Sequence, residues 1–277
     1  MPLAAFEKTA ELDPRDADLL LDLGGDTYEE MHRYALAVRA YDQALSLAPD
    51  LHQAAIAKGW AYARWQGQFD TLRTVLNRLP RDADFGPFGS RAAQQLQLFL
   101  WERQPDSLLQ VLKTAHPGAF EGQLFFLPGA LYAAWAHRLG GGRQAARAAF
   151  DSALVLLDSV MRERPDDWRV HVARGLALAG LGRRADALGE AGWLQRSVMY
   201  REDAVVGRNL AEGRARILAQ AGDTAAALEE IQRLLARPSY LSVHVLRLDP
   251  RWDPIRNDPR FQALLRRYGG DSSGGRR

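Results

Sequence analysis

Residues 21–50 read LDLGGDTYEEMHRYALAVRAYDQALSLAPD, and this stretch decides the fold. Gly25 and Tyr28 lie three apart on a first helix. Tyr34, Ala37, Tyr41 and Ala44 form an i, i+3, i+4, i+7 stripe on a second, and Pro49 stops it because proline cannot donate the next helical hydrogen bond. The unit predicted is a helical hairpin whose small residues let two backbones approach while aromatic rings fill the space between them. Such a hairpin leaves one apolar flank open, so it requires neighbours of its own kind.

Working outward, residues 51–80 restate the pattern with Gly59, Tyr62, the turn glycine Gly67 and the apolar positions Phe69, Leu72 and Leu76. One extra residue precedes that turn. Residues 91–102 and 107–115 form a degenerate pair after a Gly/Pro loop, and residues 116–129 contain the apolar run Leu124–Leu127, expected to be an inter-repeat connection or a peptide-binding lip. The pattern returns at Ala130–Leu139 and Arg143–Arg162 around Gly140-Gly141-Gly142, then at residues 168–194 around Gly182 and at residues 211–238 around Gly222, where Asp223 is a candidate helix cap. Upstream, Phe6, Thr9, Leu12 and Pro14 reproduce the spacing of Tyr41, Ala44, Leu47 and Pro49, so residues 1–14 read as the second half of a repeat. Either this helix acts as a cap or the chain is cut from a longer polypeptide, with Met1 then supplied by recombinant expression; the cut is the favoured reading.

The hairpins resemble the tetratricopeptide repeat (TPR) family, whose unit is about 34 residues. Leu21 takes the usual Trp place, Gly25 the first small position, Tyr28 the helix-A aromatic, and Ala37, Tyr41, Ala44 and Pro49 the helix-B signature. Gly24 departs, standing where Leu is normal, and Leu23 sits one place early. The resemblance implies an all-α right-handed superhelix with degenerate middle repeats and a C-terminal capping helix: a repeat domain over residues 1–268 and a tail over 269–277. Within it, residues 18–80 hold two repeats, 90–128 the degenerate pair and its connection, 130–238 three hairpins and 239–268 the cap. The activity implied is docking of a protein or peptide partner.

In the last 40 residues, Leu246-Arg247-Leu248-Asp249-Pro250, Trp252-Asp253-Pro254 and Asp258-Pro259-Arg260-Phe261 punctuate short helices, with Trp252 and Phe261 expected to cover the end of the stack. Tyr240–Val245 reads as a β-branched and aromatic run without a strand partner. This terminus is similar to the end of large bacterial signalling proteins. In those, a TPR region follows a serine/threonine protein kinase, a nucleotide cyclase, or a winged-helix and TolB-like pair.

Composition narrows the function classes. The chain has 277 residues, 47% of them hydrophobic, and a formal net charge of +2 with both signs dispersed, so a globular fold is expected without direct nucleic-acid or membrane contact. There is no Cys, which removes thiolate metal sites and cysteine catalysis and fits a reducing, cytoplasmic setting. No Walker loop, His-Glu-x-x-His, Gly-x-Ser-x-Gly or Gly-x-Gly-x-x-Gly motif is present, so no catalytic residue, cofactor or metal is assigned. Kinase chemistry needs an ATP-binding Lys, a catalytic Asp and an Asp-Phe-Gly metal site, which the chain lacks as a set. Three readings follow: a non-catalytic interaction scaffold, a regulatory region of a signalling protein, and a small phosphotransferase that no motif supports. For the scaffold, the expected partner-binding positions are Asp22, Arg64, Trp65, His137, Trp168 and Arg174. Arg174→Glu is expected to weaken partner binding while helicity is retained. A second, edge-on possibility is an acidic peptide at the turn arginines Arg138, Arg143, Arg147, Arg183 and Arg184.

Overall fold

The computed structural model describes residues 8, 12–115, 118–203 and 206–269. Most of the expected partial repeat at 1–14, including Phe6 and Thr9, and the tail at 270–277 lie outside the described residues. The fold is almost entirely helical. Six hairpins follow in order: α1 (Ala17–Asp22) continuing as a π-helical segment (Leu23–Glu29) with α2 (Tyr34–Leu47); α3 (His52–Gln66) with α4 (Asp70–Arg78); and α5 (Arg91–Trp101) with α6 (Pro105–Ala115). Then come α7 (Gly129–Leu139) with α8 (Arg143–Glu163), α9 (Trp168–Gly180) with α10 (Arg184–Arg196) and, after the short α11 (Val198–Glu202), α12 (Val206–Gln220) with α13 (Thr224–Leu235). The terminus adds α14 (Val243–Leu248), a 3₁₀ turn (Pro250–Ile255) and α15 (Pro259–Gly269). The second helices of the first five hairpins meet their own first helices, and first helices also meet at α1–α3, α5–α7 and α9–α12, as in a TPR-like α-solenoid.

One backbone device repeats at every turn. The residue that ends each first helix's turn takes the left-handed conformation: His32, Gly67, Arg103, Gly141, Gly182 and Gly222, with φ between 55° and 80°. The next N–H then reaches back to a carbonyl of the first helix, as in Arg33 to Tyr28, Gln104 to Phe99, Gly142 to His137, Arg183 to Leu178 and Asp223 to Leu218. These bonds satisfy carbonyls that the helix end leaves free. At the second hairpin the bond runs from Gln68 to Tyr62, one residue longer, which is the extra residue visible in the sequence. The turn then hands over to the second helix, and at the last hairpin Asp223 accepts from the Ala226 N–H at 3.3 Å, capping α13 as its residue type predicts.

The first hairpin corrects the small-residue assignment. Between α1 and the turn the helix widens into the π segment, which absorbs the one-residue offset that puts Leu23 early and Gly24 in place of Leu. Both Leu20 and Leu23 are then buried. The closest backbone approach falls at Gly24, not Gly25: a Cβ on Gly24 would lie 2.8 Å from Tyr41 Cζ, whereas one on Gly25 would sit 3.5 Å from the Tyr41 hydroxyl. The stripe itself is as expected, with Tyr34, Ala37, Tyr41 and Ala44 all buried.

One further expectation changes. The Leu124–Leu127 run is not a plain connection. It enters an antiparallel β-hairpin, β1 (Ala119–Gly122) and β2 (Phe125–Pro128), in the register Ala119↔Pro128 to Gly122↔Phe125. Phe120 and its cross-strand partner Leu127 are buried on one face of the hairpin and Phe126 on the other, while the ladder satisfies the backbone. Tyr240–Val245, a run without a strand partner, carries no strand, and α14 begins within it at Val243.

The backbone clusters into two compact units: Met1–Pro80 with Leu235–Arg247 and Leu265–Arg277, and Arg81–Leu234 with Leu248–Leu264. In the second unit, two hairpins share an internal ion pair. Arg174 of α9 meets Glu190 of α10, and Arg214 of α12 meets Glu230 of α13; each pair spans 16 residues and brackets the left-handed glycine of its turn. Both glutamates are buried. Glu190 also faces the His171 ring at 2.6 Å, and Glu230 accepts from the Tyr200 hydroxyl at 2.7 Å, so neither carboxylate is left unpaired in the interior.

Candidate interaction surface

In each unit the C-terminal segment lies against first helices. In the first unit, the Ser239 N–H donates to Glu30 O at 2.8 Å, and His32 Nε2 donates to Ser239 O at 3.0 Å. His32 is the left-handed turn residue of the first hairpin. The Tyr240 hydroxyl meets Asp26 at 3.1 Å while its ring lies under the Arg64 guanidinium at 5.1 Å. The Ser242 hydroxyl donates to Arg64 O at 2.7 Å and also accepts from the Val245 N–H, starting α14. Beneath this, Glu29 in the π segment is buried and takes the Tyr41 hydroxyl at 2.6 Å and Arg64 at 2.8 Å. The guanidinium therefore links the two first helices and the segment that crosses them.

In the second unit, Asp249 and Arg251 are both buried. Asp249 accepts from Arg251 N at 2.9 Å as a helix cap and forms a two-pronged pair with the Arg251 guanidinium. Burial alone would push the Asp249 carboxyl up; Arg251 and Arg216 outweigh it and hold the group below the usual carboxylate range. The Arg251 guanidinium lies over the Trp135 ring of α7 at 5.2 Å, and its carbonyl takes Gln220 of α12. Trp252 stacks beneath Arg216 of α12 at 5.7 Å and is fully buried, as is Phe261. Asp253 is forked by Arg103, the left-handed turn residue of the third hairpin, at 2.6 and 2.8 Å.

The two turns that lack glycine are thus the two whose turn residue reaches the C-terminal segment. A left-handed non-glycine residue costs about 1–2 kcal/mol, and at His32 and Arg103 the side chain's bond to that segment offsets it.

The expected partner-binding residues are placed as follows. Asp22 is exposed, and its carboxyl is pushed up by partial burial and by its neighbours Asp26, Asp18 and Asp16. Arg64 is engaged by Glu29 and Tyr240 as described. Trp65 is half-buried in a ladder of rings, stacked on Tyr34 and Tyr62 at 6.3 Å each. His137 is half-buried in the last turn of α7, where its carbonyl takes the Gly142 N–H. Trp168 is buried at 9% exposure at the start of α9 behind its cap Asp167. Arg174 is held by Asp158 at 2.7 Å and by Glu190. Sequence reasoning missed Glu29, Tyr240, Asp249 and Arg251; acids and arginines placed in otherwise apolar helical or Pro-punctuated runs were the available signal.

Among the turn arginines, Arg138 reaches Gln220 at 2.7 Å, and Arg184 donates to Ala221 O at 2.9 Å. Both sit beside first-helix C-termini, where cations are favoured. Among the described residues, no group of three His, Cys, Asp or Glu side chains is placed to hold a metal ion, and no helix is long and apolar enough to cross a membrane.

Structural comparison finds similarity to a tetratricopeptide repeat protein from Parabacteroides merdae, at 14% identity and a TM-score of 0.45, over 96% of this chain and 91% of that one. No family model and no curated protein sequence matches the chain.

Proposed function

We propose that the chain is a TPR-type protein-interaction scaffold that docks a peptide or protein partner on its first helices. One observation carries this reading: six hairpins turned by the same left-handed residue and back-bond, with first helices meeting within each unit. Stacking of this kind produces extended rows of side chains instead of a closed cleft, and such rows recognise segments of other proteins. The carboxylates of Asp18 and Asp22, one helical turn apart on exposed positions, favour a partner segment carrying cationic side chains. Arg174 and Trp168, being internally engaged, serve the fold in this proposal, and Asp22 and His137 become the better reporters of binding. The test is calorimetric titration of a partner captured on the intact chain. Asp22→Lys is expected to weaken binding about tenfold with unchanged helicity; an unchanged affinity for both Asp22→Lys and His137→Ala would remove the first helices from the interface.

A second reading concerns the parent. The Leu246–Phe261 string and its resemblance to signalling-protein termini support a regulatory region working with a kinase, cyclase or transcriptional domain. The sequence of the intact gene tests it directly.

A further inference from the structure

The strongest unassigned feature is the way residues 239–242 sit on the first unit. This short irregular stretch has one backbone N–H and one carbonyl taken by the turn of the first hairpin, an aromatic ring set between Arg64 and Asp26, a buried Leu241 and a hydroxyl on the Arg64 carbonyl. Hydrogen bonds to the main chain of a short segment, with its ring and aliphatic side chain seated beside them, are contacts of the kind by which folded domains hold peptide ligands. The stretch also lies on first helices, the surface to which the preceding section assigns partner docking, so this inference rests on that reading.

We propose that Ser239–Ser242 is a built-in occupant of the first unit's recognition surface, and that the partner it excludes carries the same chemistry: an aromatic followed by an aliphatic residue, flanked by small hydroxyl residues. Three observations point to an occupant. His32 is held in the left-handed conformation, and its ring is spent on Ser239; strain retained at one position marks a contact that a plain glycine turn would not supply. The receiving groups come from separate elements, with Asp26, Glu30 and His32 from the first hairpin and Arg64 from the second, whereas the segment contributes consecutive residues. Tyr240 itself is half-buried, the least covered residue of the stretch. Because the occupant is tethered, its effective concentration is about millimolar, and a free peptide of equal chemistry would compete poorly until the tether is weakened.

The experiment uses the full chain and a fluorescent peptide copying residues 236–246. In Tyr240→Ala/Ser242→Ala, which leaves every receiving residue intact, hydrogen exchange across 237–246 is expected to accelerate. The peptide should then bind at least tenfold more tightly than to the unaltered chain, and a peptide with Ala at the Tyr240 position should lose that gain. Accelerated exchange without tighter peptide binding would overturn the proposal, as would unchanged exchange. If the variant loses helicity, the unaltered chain decides: exchange of 239–242 must open at a lower free energy than α3, and opening together with α3 would make the segment a permanent part of the core and refute the idea. Peptide binding here is independent of any cellular partner. A chain that takes the peptide but docks nothing at Asp22 or His137 would sink the scaffold reading alone.

Discussion

Replacing Arg214 by Met tests the internal pairing of the hairpins most sharply. The side chain of Glu230 is 1% exposed and that of Arg214 13%, so the pair sits where water cannot take over. Removing one member of a buried ion pair costs about 3–5 kcal/mol, because the remaining charge is left without compensation. Here Tyr200 at 2.7 Å and Arg233 at 3.1 Å still face Glu230, which brings the expected loss down to about 2–3 kcal/mol. For a domain of roughly 150–250 residues, each kcal/mol moves the thermal midpoint by about 2–4 °C, so a fall of about 4–12 °C is expected in far-UV circular dichroism. Arg214→Met/Glu230→Met should recover to within about 1 kcal/mol of the unaltered chain, since a buried pair exchanged for apolar side chains of similar size is often neutral. A midpoint shift of less than about 1 °C in the single variant, or a double variant no more stable than the single, would refute the reasoning.

Other outcomes follow from the same geometry. Gly24→Ala should destabilise by about 2 kcal/mol or more through collision with the Tyr41 ring, while Gly25→Ala should be neutral or stabilising by up to about 1 kcal/mol; thermal melts rank them. Arg103→Gly in an Asp253→Asn background should gain about 1 kcal/mol from relief of the left-handed backbone, and a loss there would disprove the proposed trade between strain and contact. Asp249, whose folded-state pKa lies below its unfolded value, contributes stability that is present above the unfolded value of about 3.9 and lost as pH falls through the folded one. Asp249→Asn should therefore flatten the acid limb of a stability–pH curve below about pH 4, and identical limbs would exclude the assignment. Arg174→Glu, by setting a carboxylate beside Glu190 and Asp158, should lower the melting midpoint instead of acting only on binding.

Much of the fold was legible because its determinants are local. Gly67, Gly182 and Gly222 mark turns since left-handed backbone favours glycine, and the 41/44 stripe marks a helix face. His32 and Arg103 hid two equivalent turns, because there a distant contact stabilises the conformation. The π segment left a trace in the displaced Leu23, and its consequence, contact at Gly24, depends on how Tyr41 approaches from the second helix. The β-hairpin at 119–128 was masked by apolar residues whose period is too short to separate strand from buried connection. The candidate surface was the least legible part. Arg64 and Arg174 look like free cations along the chain, and only folding brings Glu29 and Glu190 to them.

Photo-crosslinking in cells most directly tests the claim that the first helices form the recognition surface. A photoreactive residue at Asp22 or His137 is predicted to trap the partner, while one at Val155, 73% exposed on the second helix α8, should not. Trapping from Val155 with none from the two first-helix positions would contradict the account.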